Sequence, residues 1–362
     1  MKTVKIVQSG DFHLDSPLTL HNINFRSQRK EELLNTVERI VSLAVKEKAD
    51  LILLTGDLFD SMRVSRKTLL YLQKEFMRFP GRIFIAPGNH DPYTPESPYA
   101  TFSFPEHVHI FSSYEEVYLE ELDCVVCGAG FQSGYVKESL FENRSCSTPA
   151  EIRILLMHGD VTEGASLYNP VSCENIRQSG FSYIALGHRH SFSGILSEGS
   201  TQYAYAGIPE GRGFDETGEK GVLVGSIYSN GSALQFKPLS RRTYEILEVD
   251  ISSLLTTQEI FSKIRSSLRN ETSIYRILLC GQVSPYLSID FAHLSLMLYE
   301  KLPDFELRDE TTLAGDTLSF PPHSLRGIFM ELLSEKRESS DKEFWNEVEK
   351  TGLAALLPGG MK

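Results

Sequence analysis

Eight side chains with lone pairs to offer stand at five places along the chain, each just after an apolar run: Asp11 and His13, Asp57, Asn89 and His90, His158, and His188 and His190. Asp91 follows at once in the third group. All eight are oxygen or imidazole donors and none is a thiolate. That donor set suits manganese, magnesium, iron or zinc in an open site rather than a cysteine-bound structural zinc. One ion needs fewer protein ligands than this, so the surplus points to two ions sharing a ligand. Such pairs lie about 3.5–4 Å apart and stabilise the attacking and leaving oxygens of an in-line displacement. Two divalent ions against two carboxylates leave a positively charged cleft, which a phosphodiester would enter.

The elements that must position these groups follow from periodicity. An apolar strand over 3–8 runs into Asp11, and residues two apart in extended backbone point the same way, so Asp11 and His13 reach one site. A helix over 27–48 carries an apolar stripe of Leu33, Val37, Ile40, Val41 and Ala44. A strand over 51–54 precedes Asp57, a helix over 65–79 follows, and a strand over 82–86 ends at Pro87-Gly88 before Asn89. Continuously apolar strands alternating with helices call for a largely parallel sheet covered on both faces. Ligands bind beyond the carboxyl ends of such strands.

The region 93–113 reads as a Pro- and aromatic-rich loop, 117–131 as two short strands and 134–149 as a surface excursion. His107 and His109 lack an Asp or Asn at strand-end spacing and read as structural. Strands over 151–157 and 181–186 lead to His158 and His188, and 202–206, 221–227 and 233–238 read as antiparallel strands completing the core.

Beyond this, strand 244–250, helix 258–269, strand 274–282, helix 289–301 and strand 305–308 make a small α+β module. Two terminal helices follow. One carries Leu325, Ile328, Phe329, Leu332 and Leu333, and the other opens with a capping box at 340–343 and carries Phe344, Trp345 and Val348. The expected division is therefore 1–240, 241–312 and 313–362.

A net charge of −12 argues against a protein that coats nucleic acid without sequence preference. No apolar run approaches a membrane span, and the N-terminal residues lack the apolar core of a leader, so a cytoplasmic protein is expected. Five cysteines without regular spacing fit reduced thiols. Cys124 and Cys127 lie in an apolar run with no second pair for zinc and read as core packing.

In order, D-x-H, GD, GNHD, a lone strand-end His and GH-x-H resemble the five blocks of the calcineurin-like metallophosphoesterases. The stretches 11–15, 56–60, 88–92 and 211–221 also resemble the SbcD-type DNA repair nucleases, especially their YhaO-like branch. The likeness is strong over 3–240 and weak over 241–310. It implies an α/β fold, the four-layer α+β sandwich of the metallophosphoesterases, with a smaller α+β cap and C-terminal helices. It implies that Asp11, His13, Asp57 and His190 hold one ion and Asp57, Asn89, His158 and His188 the other, manganese being the first choice. His90 would stabilise the transition state or protonate the leaving oxygen, with Asp91 orienting it. Many relatives carry a second histidine where this chain has Asp60.

The resemblance implies DNA and an SMC-like coiled-coil ATPase docked on the terminal helices as partners, with a second copy of the chain also expected; the same helices could instead pack on the chain's own cap. Basic residues placed to meet DNA are Arg26, Arg29 and Lys30, then Arg63, Arg66 and Lys67, and Lys237, Arg241 and Arg242. The leading function is hydrolysis of DNA phosphodiester bonds as an exonuclease. A phosphoesterase acting on nucleotides or other small esters and a regulatory scaffold for an ATPase are the alternatives.

Overall fold

A computed structural model describes residues 2–20, 22–141, 146–284, 287–313, 323–336 and 342–356. It divides into two compact units, Met1–Thr243 and Tyr244–Lys362.

In the first unit the strands are β1 (Val4–Ser9), β2 (Leu51–Leu54), β3 (Arg82–Ile85), β4 (Val108–Ile110), β5 (Glu115–Leu119), β6 (Cys124–Ala129), β7 (Ile152–His158), β8 (Tyr183–Gly187), β9 (Leu196–Glu198), β10 (Thr201–Tyr205), β11 (Gly221–Tyr228) and β12 (Gly231–Pro238). They form two six-stranded sheets, ordered β12-β11-β1-β2-β3-β4 and β5-β6-β7-β8-β10-β9. β1 to β4 run parallel, as do β6, β7, β8 and β10, so the strands that precede the donor residues end at one edge.

Alternate residues feed two cores, which is why these strands read as unbroken apolar runs. Leu51 and Leu53 of β2 face Ile154 and Leu156 of β7 in the layer between the sheets. Ile52 and Leu54 face Val37, Ile40, Leu72 and Phe76 of two helices, α1 (Ile23–Glu47) and α2 (Arg66–Phe76). On the outer face of the second sheet, Leu155 and Ile184 pack on Ile176 of the short helix α4 (Cys173–Gln178), which follows the one-turn α3 (Pro98–Thr101) in the chain. Helix, sheet, sheet, helix is the four-layer sandwich expected. Gln8 ties the sheets across the middle: fully buried, it donates to Leu186 O and Ala204 O and accepts from Tyr183 Oη at 2.6 Å.

Boundaries shift where caps decide them. α1 starts four residues before the expected helix because Asn22 accepts from Asn24 N and Phe25 N as its cap. The structural reading of two histidines is matched by their contacts: His107 Nε2 meets Phe76 O at 2.9 Å, and His109 packs edge-on against Phe111. Cys124 and Cys127 are fully buried.

The second unit has a parallel sheet of β13 (Tyr244–Asp250), β14 (Ile274–Cys280) and β16 (Phe305–Asp309), with β15 (Gln282–Val283) pairing β17 (Thr312–Leu313). The strand expected over 274–282 breaks at Gly281, whose φ of +99° suits glycine. Helices α5 (Thr257–Ser267) and α6 (Phe291–Tyr299) cover one face of the sheet, with Ile260, Ile264, Leu294 and Leu298 buried against Ile277 and Leu279. The terminal helices are α7 (Leu325–Lys336) and α8 (Lys342–Ala355). Ser340 and Asp341 of the expected capping box lie outside the described residues. Among the described residues, no helix is long and apolar enough to cross a membrane.

Candidate active site

The loops that leave the parallel strands are stitched to each other by backbone hydrogen bonds. Asp11 N donates to Gly56 O, His13 N to Asp57 O and Leu14 N to Leu58 O, all at 2.9–3.0 Å. His188 N, from the second sheet, donates to Asp11 Oδ1 at 3.0 Å. Asp57 Oδ1 accepts from His90 N at 2.9 Å. Gly88 must be glycine because a Cβ there would stand 2.2 Å from Asp57 Oδ1.

Five imidazoles converge here, His188 among them, and a hydrogen-bond acceptor fixes the tautomer of three. His158 Nδ1 meets Thr55 O at 2.9 Å, His90 Nδ1 meets Asp60 O at 3.1 Å and His190 Nδ1 meets Glu216 Oε1 at 2.8 Å. His13 Nδ1 faces Asp60 Oδ1 at 3.3 Å. Carbonyls and carboxylates only accept, so in the three bonded rings Nδ1 carries the proton and Nε2 presents a lone pair.

Those lone pairs fall into two groups. Nε2 of His13 and Nε2 of His190 face each other at 3.3 Å, and each of these two histidines has a donor atom within 4.8 Å of one on Asp11. Nε2 of His158 faces Asn89 Oδ1 at 2.9 Å and Asp57 Oδ2 at 3.5 Å, with the His188 ring 5.1 Å away. Asp57 Oδ2 is also 3.7 Å from His13 Nε2, so it borders both groups. Lone pairs aimed at lone pairs in a buried site call for a cation between them, and the residues fit two divalent ions. Asp11, His13, Asp57 and His190 would hold one; Asp57, Asn89, His158 and His188 would hold the other.

Electrostatics agree with that fit. Burial, then the charge of Asp57, pushes Asp11 well above the usual carboxylate range, against a bond from His188 N. Burial opposes ionisation of Asp57 too, but the neighbouring His158 and His13 and the His90 N–H hold it below its ordinary value. Burial pulls His13 and His158 down, and takes His188 to about 4. Burial so favours the neutral imidazole, the form that ligates metal.

Asp91 does not orient His90. It is fully buried, with Oδ1 accepting from Gly88 N at 2.8 Å and Oδ2 from Phe59 N at 3.0 Å and Tyr99 Oη at 2.6 Å. Burial and Asp57 push it up to about 7. It braces the backbone on which Asn89 and His90 stand, while the Asp60 carbonyl fixes His90. Asp15 likewise is a turn residue, accepting from Ser65 N and Thr68 Oγ1 at the start of α2.

The basic residues divide. Arg63, Arg66, Lys67 and Arg241 are exposed, Lys67 pairing with Glu31. Arg242 is instead held by Glu32 at 2.7 Å and lies over the Phe25 ring, and fully buried Arg29 pairs with Glu32 and Glu210. Both are structural, because a guanidinium locked between buried carboxylates has no reach to a phosphate. Lys237 pairs with Glu47, and Arg26 donates to Leu20 O.

Two partners of the site were not anticipated, Asp60 on His13 and Glu216 on His190. Glu216 lies in the 211–221 stretch that carried part of the family likeness, and that likeness was the one available signal.

A family model described as Calcineurin-like phosphoesterase matches residues 4–192. The "Uncharacterized metallophosphoesterase YhaO" of Bacillus subtilis is 30% identical over 303 residues, 78% of this chain and 72% of that protein. A "DNA double-strand break repair protein Mre11" from Methanocaldococcus jannaschii is 23% identical over 65% of this chain and 68% of its own. Among solved structures, a dimetal phosphatase from Danio rerio aligns with a TM-score of 0.42 and 9% identity, covering 66% of this chain and all of the other.

Proposed function

The chain belongs to the calcineurin-like phosphoesterases, and from that premise we propose that it is a two-metal phosphodiesterase that hydrolyses DNA from its ends, with manganese as the working ion. The observation that carries the phosphodiesterase reading is Asp57, a buried carboxylate with one imidazole lone pair on each side, from His13 and from His158. When bound, the two ions supply positive charge that acidifies water and neutralises phosphoryl oxygens. The side chains supply placement. Glu216 holds the proton of His190 on Nδ1 and the Thr55 carbonyl that of His158, while Asp60 sets a carboxylate oxygen 3.3 Å from His13 Nδ1. His90 is exposed, its Nδ1–H is spent on the Asp60 carbonyl, and its Nε2 is left to exchange a proton with the leaving oxygen.

DNA as substrate is supported by the relatives named Mre11 and by exposed Arg63, Arg66, Lys67 and Arg241. Docking of a coiled-coil ATPase is supported by α7, where Leu325, Ile328 and Leu332 are exposed at helical spacing. Small phosphoesters remain the competing substrate class, because the donor set is indifferent to what the phosphorus carries.

His90→Ala, assayed with manganese on linear duplex, single strand and an aryl phosphodiester, tests the reading. Loss of about 10²–10⁴-fold in kcat with DNA affinity kept is the expected result. Full activity would remove His90 from the mechanism, and wild-type turnover confined to the aryl ester would remove DNA.

A further inference from the structure

The carboxylates behind His13 and His190 are joined by one guanidinium. Arg212 Nη1 lies 3.4 Å from Asp60 Oδ1, the oxygen that faces His13 Nδ1. Arg212 Nη2 lies 2.6 Å from Glu216 Oε1, the oxygen that takes the His190 proton. With Nε2 of the two histidines 3.3 Å apart, His13, Asp60, Arg212, Glu216 and His190 close a ring around one donor group. Among the described residues, no guanidinium joins two carboxylates in this way behind the other group, where His158 leans on a backbone carbonyl.

Arg212 is itself held. Its N–H donates to Glu216 Oε2 at 2.7 Å, and the carbonyl of Gly211 beside it accepts from fully buried Arg29 at 2.6 Å. Its side chain is 18% exposed, so the fork is largely screened from water. A planar guanidinium that grips two carboxylates fixes their spacing as a lysine ammonium would not.

We infer that Arg212 is a positioning residue for one metal ion only, the ion held by Asp11, His13, Asp57 and His190, and that it sets the affinity of that site. The inference rests on the two-metal reading above. Partners behind metal-bound histidines fix ring orientation and typically carry 10–100-fold in metal affinity. Asp60 acquires a reason as well, since it is the carboxylate that bridges Arg212 to His13.

The test is manganese binding to the full chain, stripped with chelator and titrated calorimetrically, with electron paramagnetic resonance to detect spin coupling between ions sharing Asp57. Wild type is expected to bind two ions and give a coupled spectrum. Arg212→Met should bind one ion as before and the second about 10–100-fold more weakly, with an uncoupled spectrum. Arg212→Lys should recover part of the loss, and Glu216→Gln should repeat it. Asn89→Ala should weaken the other ion, and the double variant both. A folded Arg212→Met that binds both ions within about twofold of wild type, or weakens both equally, overturns the inference. Should Arg212→Met fail to fold, Arg212→Lys and Glu216→Gln decide by the same criteria. A wild type that binds one ion would overturn the two-metal reading itself, which is a separate outcome.

Discussion

Asp91→Asn tests where that carboxylate acts. An asparagine can place its single oxygen at one carboxylate position. Set at Oδ2, it keeps Phe59 N and Tyr99 Oη as donors and turns its amide N–H toward Gly88 N–H. The Gly88 N–H left unpaired costs about 1–3 kcal/mol, and the amide N–H facing it can only add to that. The unit spans Met1–Thr243, a size at which 1 kcal/mol moves Tm by about 2–4 °C, so a fall of about 2–12 °C is expected. Asp91→Ala orphans all three donors, a loss of about 3–9 kcal/mol that rivals the whole stability of a domain. It should therefore be largely unfolded. Tyr99→Phe should fall by less than Asp91→Asn, because it removes one of the three bonds and leaves no buried donor unpaired. The assay is thermal unfolding of each variant, paired with the pH dependence of kcat/KM. Asp91→Asn should keep the shape of that profile, since the Asp60 carbonyl and not Asp91 holds His90 Nδ1. Unchanged melting, within about 1 °C, together with a displaced pH profile would refute the reasoning and return Asp91 to the proton chemistry.

Opposite roles for neighbouring arginines are a second prediction. Arg242→Ala should cost about 1–3 kcal/mol through its lost bonds to Glu32, with the salt dependence of DNA binding unchanged. Arg63→Ala and Arg66→Ala should leave stability within about 0.5 kcal/mol and lower the salt slope by about one per lost phosphate contact; unchanged slopes would take these residues off the DNA. A third concerns Glu116. Burial raises it, but bonds from the backbone and hydroxyls of Ser147 and Thr148 outweigh that and hold it at about 2. Its folded value lies below its unfolded one, so its contribution is complete above about pH 4.5 and disappears as pH falls toward 2. Unfolding of wild type and Glu116→Gln should therefore differ at neutral pH and converge in acid; a constant difference would sink the assignment.

The donor residues were legible because each sits directly after an apolar run, so its strand end, and hence its neighbours, follow from the parallel topology. The start of α1 was not, because the cap at Asn22 precedes the apolar stripe that reveals the helix. Arg29 and Arg242 looked like DNA contacts for a plain reason: a sequence displays charge and hides burial. Only the fold shows Glu32 and Glu210 meeting them. The pairing of His13 with Asp60 lay near in sequence, but that of His190 with Glu216 depends on the loop before β11 folding back over the site.

Backbone conformation links the donor residues to function more directly than their spacing does. Asp11, His13, Asp57 and His188 all take left-handed φ, at 53°, 47°, 48° and 104°. Non-glycine residues held in such regions typically cost about 1–3 kcal/mol each, and glycine would relieve it. Glycine would also delete the donor. The strain persists because neighbouring loops over-determine it, Asp11 N on Gly56 O and His13 N on Asp57 O, and because the left-handed turn is what swings each side chain from its strand into the common cleft. A chain that needed these residues only to finish a strand would have no reason to hold four donors in a conformation that opposes folding.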